Sequence, residues 1–261
     1  MITRVELDRL YGIYNRASFI DPDPLLFLHR YPRVEDREIA GLIAACLAFG
    51  RVKQICANVE RALAVMIPSP RAYLEKTPPA EIERAFSGFR HRYAADHHLT
   101  GLLAGIRRLL DRHGSLEAAF AAGLEPGDPT VLPALARFVD GLNCPGNPLV
   151  PDPAKGSACK RLHLYLRWMV RKDDVDPGGW RSPSPAQLVI PLDTHMARLS
   201  RQLGFSRRRT ADAAMALEVT AWFRRRLPED PVKFDFTLTR FGIRNELRHI
   251  LPGRSGKGAG A

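Results

Sequence analysis

A chain of 261 residues is long enough for one or two compact domains with a sizeable buried core. Its apolar fraction of 45% excludes wholesale disorder, and a net charge of +11 favours a polyanionic partner, nucleic acid before acidic membrane or ribosome surfaces. The four cysteines, Cys46, Cys56, Cys144 and Cys159, form no CxxC pair and meet no histidine cluster, so neither a metal centre nor another cofactor is expected.

Lone thiols suit a reducing compartment. The opening residues MITRVELDRLYGIYNR lack the continuous apolar run of a secretory signal, and the longest apolar stretch, Ile39 to Phe49, is too short to span a bilayer. The expectation is a soluble cytoplasmic protein, monomeric and without a membrane partner, and nucleoid-associated if it binds DNA.

The chain reads as all-α. Ile39, Leu42, Ile43, Cys46 and Leu47 follow the i, i+3, i+4 template, Gly50 interrupts, and Val52, Ile55, Val59, Ala62 and Met66 resume it. Two helices joined tightly at Gly50-Arg51 are predicted. Leu99, Leu102, Leu103, Ile106, Leu109 and Leu110 predict another helix, and residues 131–142 a fourth. The Pro- and Gly-rich CPGNPLVPDPAKGS must be a loop. Further helices are predicted over 158–171, 194–203 (closed by Gly204), 210–226 and 231–241. No alternating pattern is long enough for a sheet. The organisation expected is one helical domain over 1–252 and a flexible low-complexity tail, GRSGKGAGA, over 253–261.

Chemistry concentrates in two segments. In GSACKRLHLYLRWMVR, Ser157 reads as an N-cap, which puts Lys160 in the first helical turn. At about 100° per residue, Lys160, His163, Arg167 and Arg171 form one polar stripe, opposite Leu162, Leu166 and Met169. Such a stripe beside a Gly156-Ser157 loop can hold phosphate. The positive end of the helix dipole also favours loss of a proton from the Lys160 amine, and only the neutral amine is a nucleophile. A solvated basic face accounts for the same residues. In VIPLDTHMARLSRQLG, Asp193 immediately precedes a helix, where an N-cap role suffices to explain it, and His195 on the first turn can reach phosphate or simply pack.

Pro191-Leu192-Asp193-Thr194-His195, with Arg198 after it, resembles the VDTH…R element of the helix-hairpin-helix DNA glycosylases. Lys160, after Gly156 and Ser157 at a helix start, stands where the bifunctional members carry a lysine. The separation of 33 residues and the hairpin PDPAKGSACK are closer to the archaeal 8-oxoguanine glycosylase branch than to branches with L-P-G-V-G-x-K. Across nearly its full length, including EIAGLIAACLAFGRVKQI, KRLHLYLRWMVR, PLDTH and DPVKFDF, the chain also resembles a bacterial family catalogued as a domain of unknown function.

The glycosylase resemblance implies a two-lobed helical fold with a central cleft, Lys160 as the attacking amine and Asp193 as its carboxylate partner. It implies base-excision of an oxidised purine such as 8-oxoguanine from double-stranded DNA, with AP lyase activity. Gly156, Ser157, His163, Arg167, His195 and Arg51 would contact DNA, Arg51 filling the gap of the flipped base, although Arg51 also suits a helix junction. Gln54 and Trp168 are weaker base-pocket candidates; Trp168 and Trp180 also suit packing.

Elsewhere, Arg207–Arg209 and Arg224–Arg226 are either phosphate contacts or solvated faces. FRHRY (Phe89–Tyr93) mixes cations and aromatics as a stacking surface does, and core packing fits it equally. Asp235 reads as a buried structural carboxylate, with Phe234, Phe236 and Phe241 as core. A non-catalytic nucleic-acid-binding protein on this scaffold, or a helical adaptor for an acidic protein or RNA, remains an alternative.

Overall fold

The computed structural model describes residues 2–243, with side chains through Arg240; the Phe241 side chain and the tail from Gly253 lie outside the described residues. Among them the architecture is helical, and the only paired strands form a two-residue hairpin. In chain order the helices are α1 (Arg4–Tyr14), α2 (Val34–Cys46), α3 (Val52–Ala64), α4 (Pro70–Lys76) and α5 (Pro79–Ala85). The hairpin β1 (Arg90–His91) and β2 (Ala94–Ala95) follows. Then come α6 (Asp96–His113), α7 (Leu116–Ala121), α8 (Leu132–Leu142), α9 (Lys160–Val170), α10 (Thr194–Leu203), α11 (Ala213–Arg224) and α12 (Asp235–Ile243).

α2 is the centre of the molecule. Every residue from Glu38 to Cys46 is buried, as befits a helix apolar on all sides. It packs beneath the 3-10 turn Pro24–Arg30 and against α9. Gly41 permits that crossing: a Cβ there would lie 3.0 Å from Leu28 Cδ2 and 3.4 Å from Tyr165 Cε2. Glu38, the acid inside this apolar helix, caps α7 by accepting from the Leu116 and Glu117 amides at 2.8 and 3.0 Å. Its second oxygen also accepts from Trp180 Nε1 at 3.0 Å. Trp180 is therefore committed to the core.

The ends of the described chain meet. α1 begins with a capping box between Thr3 and Glu6 and lies against α12, where Tyr11 stacks edge-on to Phe234. α12 also packs on α10, which carries Asp235 towards the start of α10. The hairpin is pinned behind α3: His91 is buried, its Nδ1 accepting from the Asn58 amide and its Nε2–H donating to the Phe49 carbonyl, both at 3.0 Å.

Candidate functional site

Four segments converge on an open cleft of about 870 Å³: the α2–α3 junction and the starts of α9, α10 and α12. Lys160 enters it by a different local route from the one expected. Ser157 does not cap α9; it bridges to Asp212, and its Oγ accepts from the Cys159 amide at 3.2 Å. Cys159 takes the cap position in a left-handed conformation (φ 41°), so Lys160 is the first residue of α9. A non-glycine residue in that region is strained. The turn aims the lysine along the cleft at the positive end of the helix.

Asp193 caps α10 and faces the lysine at once. Its Oδ1 accepts from the Met196 amide at 2.7 Å, while its Oδ2 lies 3.1 Å from Lys160 Nζ. The lysine side chain is 35% exposed and the aspartate 20%, so both remain within reach of a bound molecule. The cap and the ion pair use different oxygens. One residue therefore serves both purposes.

Below this pair the charges are sealed. Arg167, on α9, is bonded to Asp235 and lies 3.1 Å from Asp176. Arg171, a turn later, pairs with Asp176 and sits 2.9 Å from both Asp173 and Asp230. Tyr11 closes the network by donating to Asp173 at 2.8 Å. Arg167 and Asp235 are the members of this network on the cleft lining, and Asp235 is the one that feels the charges of the open pair. It lines the cleft, is 2% exposed, and its Oδ1 has no hydrogen-bond partner among the described residues. Burial pushes its carboxyl up to about 6; Arg167 opposes that, Asp193 adds to it and Lys160 counters it.

The expected DNA- and base-contacting residues separate into two groups. Ser157 and His195 are exposed on the cleft lining, Gly156 is exposed one residue before Ser157, and Arg51 stands exposed beside Gly50. Gln54 is exposed on α3, which turns Val52 and Ile55 rather than Gln54 towards the cleft.

The others are corrected by burial. His163 is 2% exposed with an unpartnered Nδ1, and burial pulls its pKa down to about 4. Arg167 is 3% exposed and taken up by two carboxylates, and Trp168, 1% exposed, belongs to the core. The stripe reading failed because the acids at 176 and 235 fold over it. Those partners come from remote segments with no spacing relation to α9.

Sequence reasoning also passed over Phe49, Arg161 and Arg240, all on the cleft lining. Arg161 donates to the carbonyls of Cys46, Pro148 and Leu149 at 2.6–3.0 Å, and Arg240 to Asp23 at 2.6 Å. No motif advertises such contacts, since each joins distant parts of the chain. Among the described residues no group of His, Cys, Asp or Glu can hold a metal ion, and no helix is long and apolar enough to cross a membrane. The four cysteines are free.

Together these features define a helical protein with an open lysine–carboxylate cleft above a sealed ionic floor. Residues 23–244 match the model of the family described as protein of unknown function (DUF2400), and the chain belongs to that family. The matched span contains Lys160, Asp193, Arg167 and Asp235. Comparison with curated proteins and with solved structures returned no match.

Proposed function

We propose that the protein is a base-excision DNA glycosylase with AP lyase activity. It removes an oxidised purine such as 8-oxoguanine from double-stranded DNA, on a two-lobed scaffold like that of the helix-hairpin-helix glycosylases. The observation that carries this reading is the 3.1 Å approach of Lys160 Nζ to Asp193 Oδ2 inside an open cleft. A cleft of about 870 Å³ is large enough for an extruded nucleotide.

In this mechanism Asp193 receives a proton from Lys160, and the neutral amine attacks C1′ of the damaged nucleotide. The base leaves with the glycosidic electron pair and takes the proton held by Asp193, which becomes a carboxylate again. The new C1′–N bond then expels O4′, which takes a proton that the amine nitrogen has shed by way of Asp193. An iminium remains. Its formation acidifies the C2′ hydrogen, whose loss breaks the 3′ C–O bond. While the base departs, the Asp193 carboxylate offsets positive charge on the sugar. Ser157 and His195 would hold flanking phosphates at the cleft edge, whereas the Gly156 amide is already bonded to the Pro153 carbonyl at 3.2 Å.

Borohydride added to the protein with a duplex containing 8-oxoguanine should yield a covalent protein–DNA adduct. Lys160→Ala should abolish it. Persistence of the adduct in that variant moves the nucleophile elsewhere. Failure to trap any oxidised-purine or abasic duplex overturns the reading and leaves Lys160 and Asp193 as a structural ion pair.

A further inference from the structure

Beside the cleft, three side chains form a ladder that ends in solvent. The Arg161 guanidinium lies 4.6 Å over the Phe49 ring, and Phe49 stacks on Tyr93 at 5.2 Å with 31° between the planes. Arg161 and Phe49 line the cleft wall, and Tyr93 is 64% exposed at the tip of the hairpin. The ladder is rigidly mounted. His91 stands edge-on to Phe49 at 4.5 Å and holds its carbonyl, while Arg92 (φ 55°) lays its side chain across Gly50. The Arg92 side chain lies close over Gly50, whose φ of +105° is a conformation that favours glycine at the α2–α3 junction.

We infer that Tyr93 is a stacking platform for an unpaired nucleobase at the mouth of the Lys160 cleft. A large aromatic held with one face on Phe49 has lost little freedom it would otherwise lose on binding, and the ring can take a planar partner. Exposed Arg90 and Arg92 share the hairpin with Tyr93, and exposed Arg51 and Lys53 open α3 just after the Phe49–Gly50 junction on which the hairpin packs. Aromatic ring and cations together fit a base with its phosphates; an acidic peptide would use the cations and leave the ring idle. The inference rests on the reading above only for making the polymer DNA. The platform would receive a base left unstacked when its neighbour enters the cleft.

The test is fluorescence anisotropy with a lesion-free single-stranded oligodeoxynucleotide and with its duplex. Tyr93→Ala should weaken single-strand binding roughly tenfold or more, as loss of one base stack does, and duplex binding much less. Tyr93→Phe, which keeps the ring, should bind as the native protein does. Equal single-strand affinity of native protein and Tyr93→Ala overturns the inference, and so does an equal loss in Tyr93→Phe, which would assign the contact to the hydroxyl. Tyr93-dependent binding without any borohydride adduct keeps the platform and discards the glycosylase; an adduct with Tyr93-independent binding does the reverse.

Discussion

One helix carries two kinds of cation. At the start of α9, Lys160 meets a single carboxylate and stays partly open; two turns on, Arg167 and Arg171 are enclosed by four carboxylates and lie within 5% exposure. The difference is completeness. Arginine offers five donors in a fixed fork and stays charged, so it can be buried once carboxylates saturate it. Lysine at a helix start keeps donors free and can give up a proton, which suits chemistry and makes it a poor keystone. The comparison breaks if the sealed half proves dispensable. Arg167→Ala should cost about 3–5 kcal/mol in urea unfolding, because Asp176 and Asp235 would be left buried without it. Lys160→Met should cost no more than about 1 kcal/mol in the same assay. A comparable loss at both sites would make the open pair part of the floor.

The stripe from Lys160 to Arg171 also marks where the sequence could be read and where it could not. Periodicity located α2, α3, α6, α8, α9, α10 and α11, and α12 with its start set four residues early, since each buries an apolar face long enough to show its period. The same periodicity set Lys160, His163, Arg167 and Arg171 on one side of α9. It could not say that this side faces Asp176 and Asp235 instead of water. Short helices such as α4, α5 and α7 escaped because six or seven residues scarcely define a period. The hairpin escaped because two residues a strand cannot show alternation. That Lys160 and Asp193 stand at helix starts was legible from the turns before them, whereas their approach to 3.1 Å is a matter of tertiary packing. Phe49, Arg161 and Asp235 were not legible as cleft lining, being assembled only by tertiary packing.

A second way to sharpen the contrast uses pH. His163, between Lys160 and Arg167 in the chain, is buried, and burial holds its folded pKa at about 4, below the ordinary value of 6.5. Between those limits the unfolded chain binds a proton that the folded chain refuses, so stability is intact above pH 6.5 and falls as pH drops towards 4. Asp235 works the other way. Its pKa of about 6 lies above the usual 3.8, so in that interval the folded state holds the extra proton and stability rises as pH falls. The two slopes oppose, and each should be uncovered by removing the other. His163→Leu should lessen the acid loss between pH 6.5 and 4 by about 3 kcal/mol, read as the difference between the urea-unfolding free energies at the two ends. If the acid loss is the same with and without His163, the imidazole is not held neutral and the floor is wetter than its burial implies.

The smallest effect concerns Asp193, whose two oxygens separate the structural and chemical halves of the comparison. Asp193→Ala removes the acceptor of the Met196 amide and should cost about 1 kcal/mol, the ordinary value of an N-cap. Asp193→Asn keeps a side-chain oxygen for that amide, so its unfolding midpoint should stay near the native one. The carboxylate facing Lys160 is lost in both. Adduct formation on a lesion duplex should therefore fall to the same low level in the two variants, although only one is destabilised. An Asn variant that traps DNA at the native rate would mean that the cap is all Asp193 supplies. Lys160 would then stand without the charge that makes its surroundings differ from any other helix start.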